Sequence, residues 1–220
     1  CDHIVTSLPR NQEFFMDKYM LWNKISSYSH HKCHALGSYF TSGMSGKVMA
    51  LSLDGRGNRS RGKVYLCENG KYEQVHSHPI ALSSSLAGLW GIITKSLGWT
   101  TFKDEGKVVG LAGHGKFNQK IYDLLKKCFY YNGDLLFGPV NSDKMYDFIF
   151  ERNLRKEGFF ESYENRADLA FNLQLLSEQE FVKYLSDLHK IYPEYRKLTL
   201  GGGLFSNVKL NQVINELDYI

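Results

Sequence analysis

The stretch from Gly46 to Asn58, GKVMALSLDGRGN, decides the fold class. Its inner run, VMALSLD, is apolar over the length of a strand, ends in an aspartate and passes at once into a glycine-rich turn. A short apolar run closed by turn signals reads as a buried strand. The carboxyl end of such a strand is where an open α/β sheet presents side chains to a ligand crevice. Asp54 is therefore either a site carboxylate or a turn residue bonded to its own backbone. The residues alone leave both readings open.

Working outward, GKVYLCENGKYEQVHSHP (Gly62 to Pro79) reads as a hairpin with Asn69-Gly70 at its tip. SSLAGLWGIITKSLGW (Ser84 to Trp99) has Leu86, Leu89, Trp90, Ile93 and Leu97 at helical spacing, with Ser84 or Ser85 placed to cap it. EGKVVGLAGHG (Glu105 to Gly115) reads as a substrate loop or a flexible connection, and Gln119 to Phe129 as a helix. The clearest helix is Glu164 to Tyr192, with Leu169, Leu173, Leu176 and Phe181 on one side and Glu178, Glu180 and Lys183 elsewhere. KLTLGGGLFSN then reads as a strand entering a glycine turn, followed by a helix from Val208 to Leu217. Strands and a hairpin followed by alternating helices and strands predict an α/β class.

Composition narrows the functional classes. A chain of 220 residues, 43% hydrophobic and 23% charged with four prolines, describes an ordinary globular protein. A formal charge of +4 suits a small anionic ligand and falls short of the basic footprint of a nucleic-acid binder. Cys1, Cys33, Cys67 and Cys128 lack paired spacing, which argues against a zinc ribbon and predicts reduced thiols in a cytoplasmic protein. No apolar run approaches the roughly 20 residues that span a bilayer.

The chemistry-bearing residues gather in SHHKCHALG (Ser29 to Gly37). On a helix His30 and His34 project from one face, either as a grip on a divalent metal or as a solvated polar surface. Two imidazoles need a carboxylate to balance the charge of a cation, and Asp54 is the candidate. Cys33 and His34 are adjacent and point apart on a helix, which discounts a thiolate–imidazole pair. In LTLGGGLFSN the three glycines either admit a phosphate to backbone N–H groups at a helix start or make a plain tight turn.

Four segments, in order, carry a resemblance. HHKCHALGSYFTS resembles H-H-x-x-H-A-x-S-A-F-x-x-S, and SLDGRGN resembles V-D-G-x-G-E. SSLAGLWGIITKSLGWTTFKDEGKVVGLAGHG resembles S-L-G-x-L-Y-x-x-x-T-x-x-L-G-F followed by E-x-K-V-M-G-L-A-P-Y-G, and LTLGGGLFSN resembles L-A-G-G-V-A-x-N. These are the motifs of the O-carbamoyltransferase family, which includes nodulation-factor, tobramycin and cephalosporin carbamoyltransferases and is related to the tRNA threonylcarbamoyltransferase. The resemblance implies an actin-like, sugar-kinase-like α/β fold with ribonuclease-H-type lobes, the first spanning about 1–115 and the second 116–220 here. It implies the joining of carbamoyl phosphate and ATP as carbamoyl adenylate, then carbamoyl transfer to an acceptor hydroxyl with release of AMP.

Carried over by motif, His30, His34 and Asp54 would hold a divalent metal, typically iron with zinc the alternative, and Asp54 would also face the carbamoyl adenylate. Ser85, Gly88, Gly110, Gly202, Gly203 and Asn207 would line the nucleotide site. The implied partner is a small-molecule hydroxyl acceptor, with no nucleic acid and no membrane, and homodimerisation is left open. The family's His-Asp strand, its D-D-G aspartate and its adenylate-forming domain are expected outside residues 1–220, so the chain is expected to be an internal fragment of the N-terminal domain. Asn58 stands where the family has Glu, and Gly113-His114 where it has Pro-Tyr. The aspartate expected outside these residues and the substituted Asn58 favour a second reading, a non-catalytic nucleotide-binding or interaction module of the same fold.

Overall fold

The computed structural model describes residues 4–6, 25–55, 57, 59–139, 154–155 and 157–220. Two short strands, β1 (Ile4–Thr6) and β2 (Ile25–Ser27), pair in parallel ahead of helix α1 (His30–Thr41). The apolar run VMALSL is strand β3 (Val48–Leu53), buried at every position. The hairpin follows as β4 (Ser60–Glu68) and β5 (Lys71–Pro79), turning through Asn69 and Gly70 at φ +49° and +79°. Two positive φ values in a two-residue loop give the turn whose twist matches the flanking strands.

Helices α2 (Leu86–Ser96), α3 (Glu105–Ala112) and α4 (Gln119–Cys128) come next, then the small ribbon β6 (Tyr130–Tyr131) and β7 (Phe137–Gly138). The long helix α5 (Tyr163–Ile191), strand β8 (Lys197–Gly201), a 3-10 turn (Gly203–Ser206) and helix α6 (Val208–Asn215) complete the described chain. The main sheet runs β5-β4-β3-β8, antiparallel except for the β3–β8 pair. It is a mixed sheet flanked by helices, the α/β class. Because β8 pairs with β3, the sheet draws on both of the segments 1–115 and 116–220.

Strand periodicity separates the two faces of β3. Successive side chains point to opposite sides of a sheet. Val48 and Ala50 pack with Ala35, Leu36 and Tyr39 of α1. Met49, Leu51 and Leu53 join the larger core with α2, α4 and α5. Each fully buried Leu or Ile there contributes about 1.5–3 kcal/mol relative to exposure. Continued past Leu53, the same alternation carries Asp54 to the α1 face.

Helix α5 holds the larger core together. Leu169, Leu173, Leu176 and Phe181 are fully buried, as their spacing predicts. The Trp90 indole N–H donates to Ser177 Oγ at 2.9 Å, tying α2 to α5. Glu180, expected off the apolar face, is instead fully buried. The reason is geometric: it lies one turn beyond Leu176, on the face that α4 and β6 cover. Its carboxylate accepts from Lys126 Nζ at 2.7 Å, Lys183 Nζ at 2.8 Å and the Tyr131 N–H at 2.7 Å. Burial alone would raise its pKa, but these donors outweigh it and hold the carboxyl below its ordinary value.

The segment read as a loop or flexible connection, Glu105 to Gly115, is helical as far as Ala112. Val108 and Ala112 are buried one turn apart, which gives the segment an apolar edge to pack despite Gly106 and Gly110. Ser85, not Ser84, caps α2: its Oγ accepts the Gly88 N–H at 2.9 Å.

Candidate metal centre and adjoining cleft

Helix periodicity and strand periodicity converge on one point. His30 and His34 stand one turn apart on α1, and Asp54 projects toward them from the end of β3. His30 Nε2 lies 3.1 Å and His34 Nε2 3.4 Å from the same oxygen, Asp54 Oδ2. The two imidazoles meet edge to face, with ring centroids 4.5 Å apart. Among the described residues, these three side chains form a group whose donor atoms all lie within 4.8 Å of one another.

Backbone contacts hold Asp54 in place. Its N–H donates to the Arg61 carbonyl at 2.8 Å, and its own carbonyl accepts the Ser85 hydroxyl at 3.1 Å. Oδ1 accepts the Gly55 N–H at 2.8 Å, and the Gly203 N–H also donates to the carboxylate. Burial pushes the Asp54 pKa up, but the His30 contact and these two N–H groups outweigh it and leave it below the ordinary carboxylate value. Burial and the neighbouring His30 push the His34 pKa down, against the pull of Asp54. An ionised carboxylate beside a neutral imidazole is the protonation state that metal ligands require.

The glycine run lets β8 and α1 come close. A Cβ on Gly201 would sit 2.5 Å from the His34 carbonyl oxygen. Gly202 has φ +98°, and a Cβ there would sit 2.4 Å from the Leu53 carbonyl oxygen. Residue size and backbone conformation both demand glycine at that point. The Gly203 N–H is engaged by the Asp54 carboxylate.

Asp54 also borders a cavity of about 210 Å³. Ala87 and Trp90 of α2, Glu105, Gly106 and Val109 of α3, and Gly55, Phe102, Gly203, Leu204, Ser206 and Asn207 line the rest. Gly203 and Asn207, singled out in the sequence, face this cleft. The Asn207 amide donates to Gln174 Oε1 at 2.9 Å and its oxygen caps α6 by accepting the Leu210 N–H at 3.0 Å. Ser85 borders a smaller cavity with Asp54, and the Gly88 N–H is engaged in the α2 cap. Gly110 lies on exposed α3, one turn past Gly106, with open space where a Cβ would be. Asn58 lies outside the described residues.

The remaining members of the histidine cluster take structural parts. His31 is fully buried and donates through Nε2 to the Ser60 carbonyl at 2.9 Å, pinning α1 to β4. Cys33 is exposed on α1 and unpaired, while the Cys67 and Cys128 thiols are buried and pushed up to about 11 and about 12. Sequence motifs did not reveal Phe102, Gly106, Val109, Leu204 or Ser206 as cleft residues. Phe102 alone left a trace, as an aromatic in an otherwise polar segment, TTFKDE.

The sequence model of the carbamoyltransferase N-terminus family matches residues 11–218. The chain belongs to this family. The match contains all three donors and every cleft residue named above. A curated relative, the uncharacterized protein MJ1058 of Methanocaldococcus jannaschii, is 26% identical over 210 residues, covering 87% of this chain. The chain spans 33% of that relative's length. Family membership thus rests on residues 11–218 rather than on the histidine motif alone.

Proposed function

We propose that this chain forms the acyl-transfer centre of an O-carbamoyltransferase, passing a carbamoyl group from carbamoyl adenylate, made from ATP and carbamoyl phosphate, to the hydroxyl of a small molecule. The observation that carries this reading is the double position of Asp54, which stands in the donor cluster and in the wall of the cleft. An adenylate lying in the cleft would present its carbonyl beside the donors.

The residues fit a divalent cation, iron or zinc. Two imidazoles and one carboxylate are the donor types of a two-His-one-carboxylate site. Separations of 3.1 and 3.4 Å match the edges of a coordination shell with bonds of about 2.1 Å. Such an ion would supply Lewis-acid polarisation of the carbamoyl carbonyl. The protein's own residues do the rest. His30, His34 and Asp54 hold the cluster, and the Gly55 and Gly203 N–H groups keep Asp54 ionised and aimed. The apolar cleft walls exclude water from the adenylate, and Ser206 offers a hydroxyl at its edge. The acceptor hydroxyl then adds to the carbamoyl carbon, the bond from that carbon to the phosphate oxygen breaks, AMP leaves, and the hydroxyl proton passes to solvent. The actin-like two-lobed architecture belongs to this same reading.

The test uses the full-length protein with ATP, carbamoyl phosphate, Fe(II) and a panel of hydroxyl acceptors, following AMP release and carbamoyl product. Transfer that is metal-dependent and lost in the His30→Ala/His34→Ala double variant supports the reading. An unchanged rate in that variant sinks it. Nucleotide binding without any transfer would assign the chain to the non-catalytic module instead.

A further inference from the structure

Phe102 is the most exposed large apolar side chain among the described residues, at 90%, and it borders the cleft. Its backbone sits at φ +66°, a conformation that bulky L residues rarely hold. The Glu105 carboxylate accepts its N–H at 2.7 Å, and Glu105 begins the helix that forms one cleft wall. A backbone held in a strained conformation, presenting an apolar ring to water at the edge of a cavity, marks a ligand-facing position. The cavity suits an amphipathic ligand: Ala87, Val109 and Leu204 supply apolar surface, and Asp54 and Asn207 supply polar groups.

We propose that Phe102 stacks on the base of the adenine nucleotide bound in the cleft and so adds to its affinity through the base's π face. This rests on the reading of the cleft as a nucleotide site and adds a residue that no motif singled out. Base–aromatic stacking tolerates different bases because each has a π face, and its loss weakens binding severalfold or more.

Calorimetric titration of AMP into the wild-type chain and three variants tests this. Phe102→Ala is expected to weaken AMP binding by at least about fivefold. Phe102→Leu, which keeps apolar bulk without a π face, should weaken it nearly as much. Phe102→Trp should bind within about threefold of wild type, with its exposed indole fluorescence quenched on AMP addition. Wild-type affinity in Phe102→Ala or Phe102→Leu, with AMP still binding, overturns the stacking role and leaves the nucleotide site intact. Absence of AMP binding to the wild-type chain at millimolar concentration overturns the nucleotide site, and the stacking role with it.

Discussion

At the scale of single residues, one carboxylate connects two structures. Asp54 takes two backbone N–H groups at the carboxylate while its Oδ2 faces two imidazoles, so its position is set before any ligand arrives. Both donor types are needed to hold a cation. Removing both imidazoles leaves a lone carboxylate, and Asp54→Ala leaves two close imidazoles with nothing to balance the charge. Elemental analysis after loading with Fe(II) or Zn(II) should find the His30→Ala/His34→Ala and Asp54→Ala proteins essentially metal-free and the wild type loaded. Equal metal content in all three would remove the site assignment. Both imidazoles could be named from the sequence because i, i+4 spacing fixes a shared helix face. Phe102 could not, because an exposed aromatic in a polar segment has no periodic signature.

The elements explain why some glycines are required and others are not. At Gly202 the positive φ and the Leu53 carbonyl both exclude a side chain. Gly202→Ala should cost about 2–4 kcal/mol, read as a lower midpoint in urea unfolding. Gly110 lies exposed in α3 with open space around its Cβ position. Gly110→Ala should stabilise the fold by about 0.5–1 kcal/mol, since alanine costs less helix entropy than glycine. A destabilised Gly110→Ala protein would show that α3 is not helical there. The strands, the hairpin and the long helix were legible because their apolar periods are strong. The sequence reads as a loop or connection at α3 because four glycines between Glu105 and Gly115 outweigh an apolar edge of only a few residues. Glu180 reads as a solvent-side residue and is buried, because the sequence does not show which neighbours cover a second face of a long helix.

For the whole molecule, the buried polar groups fix the response to acid. Burial pushes the His78 imidazole down to about 3, where its Nε2 lies 2.9 Å from the Tyr184 hydroxyl. Below its ordinary value near 6.5 the unfolded chain binds a proton that the folded chain refuses, so stability falls as pH drops from about 6.5 toward 3. The slope from this one group is about 1.4 kcal/mol per pH unit. Glu180 acts in the same direction at lower pH: its folded pKa is depressed, so its contribution is present above the ordinary carboxylate value and lost as pH falls through the folded one. Urea unfolding of the metal-free protein at pH 7.5, 6.0 and 5.0 should show this loss, with His78→Phe flattening the slope. An unchanged slope in His78→Phe would place the acid sensitivity elsewhere. No helix among the described residues is long and apolar enough to cross a membrane. By itself the sequence determined the α/β class, the buried strand ending at Asp54 and the shared face of His30 and His34, because these follow from local periods of two and 3.6. Tertiary structure alone decided that β8 enters the sheet beside β3, that the carboxylate meets both imidazoles and that a cleft opens between α2, α3 and the glycine turn. Those features join residues distant along the chain, from the 24 positions between His30 and Asp54 to the far longer reach from β3 to β8, and no local period carries that information.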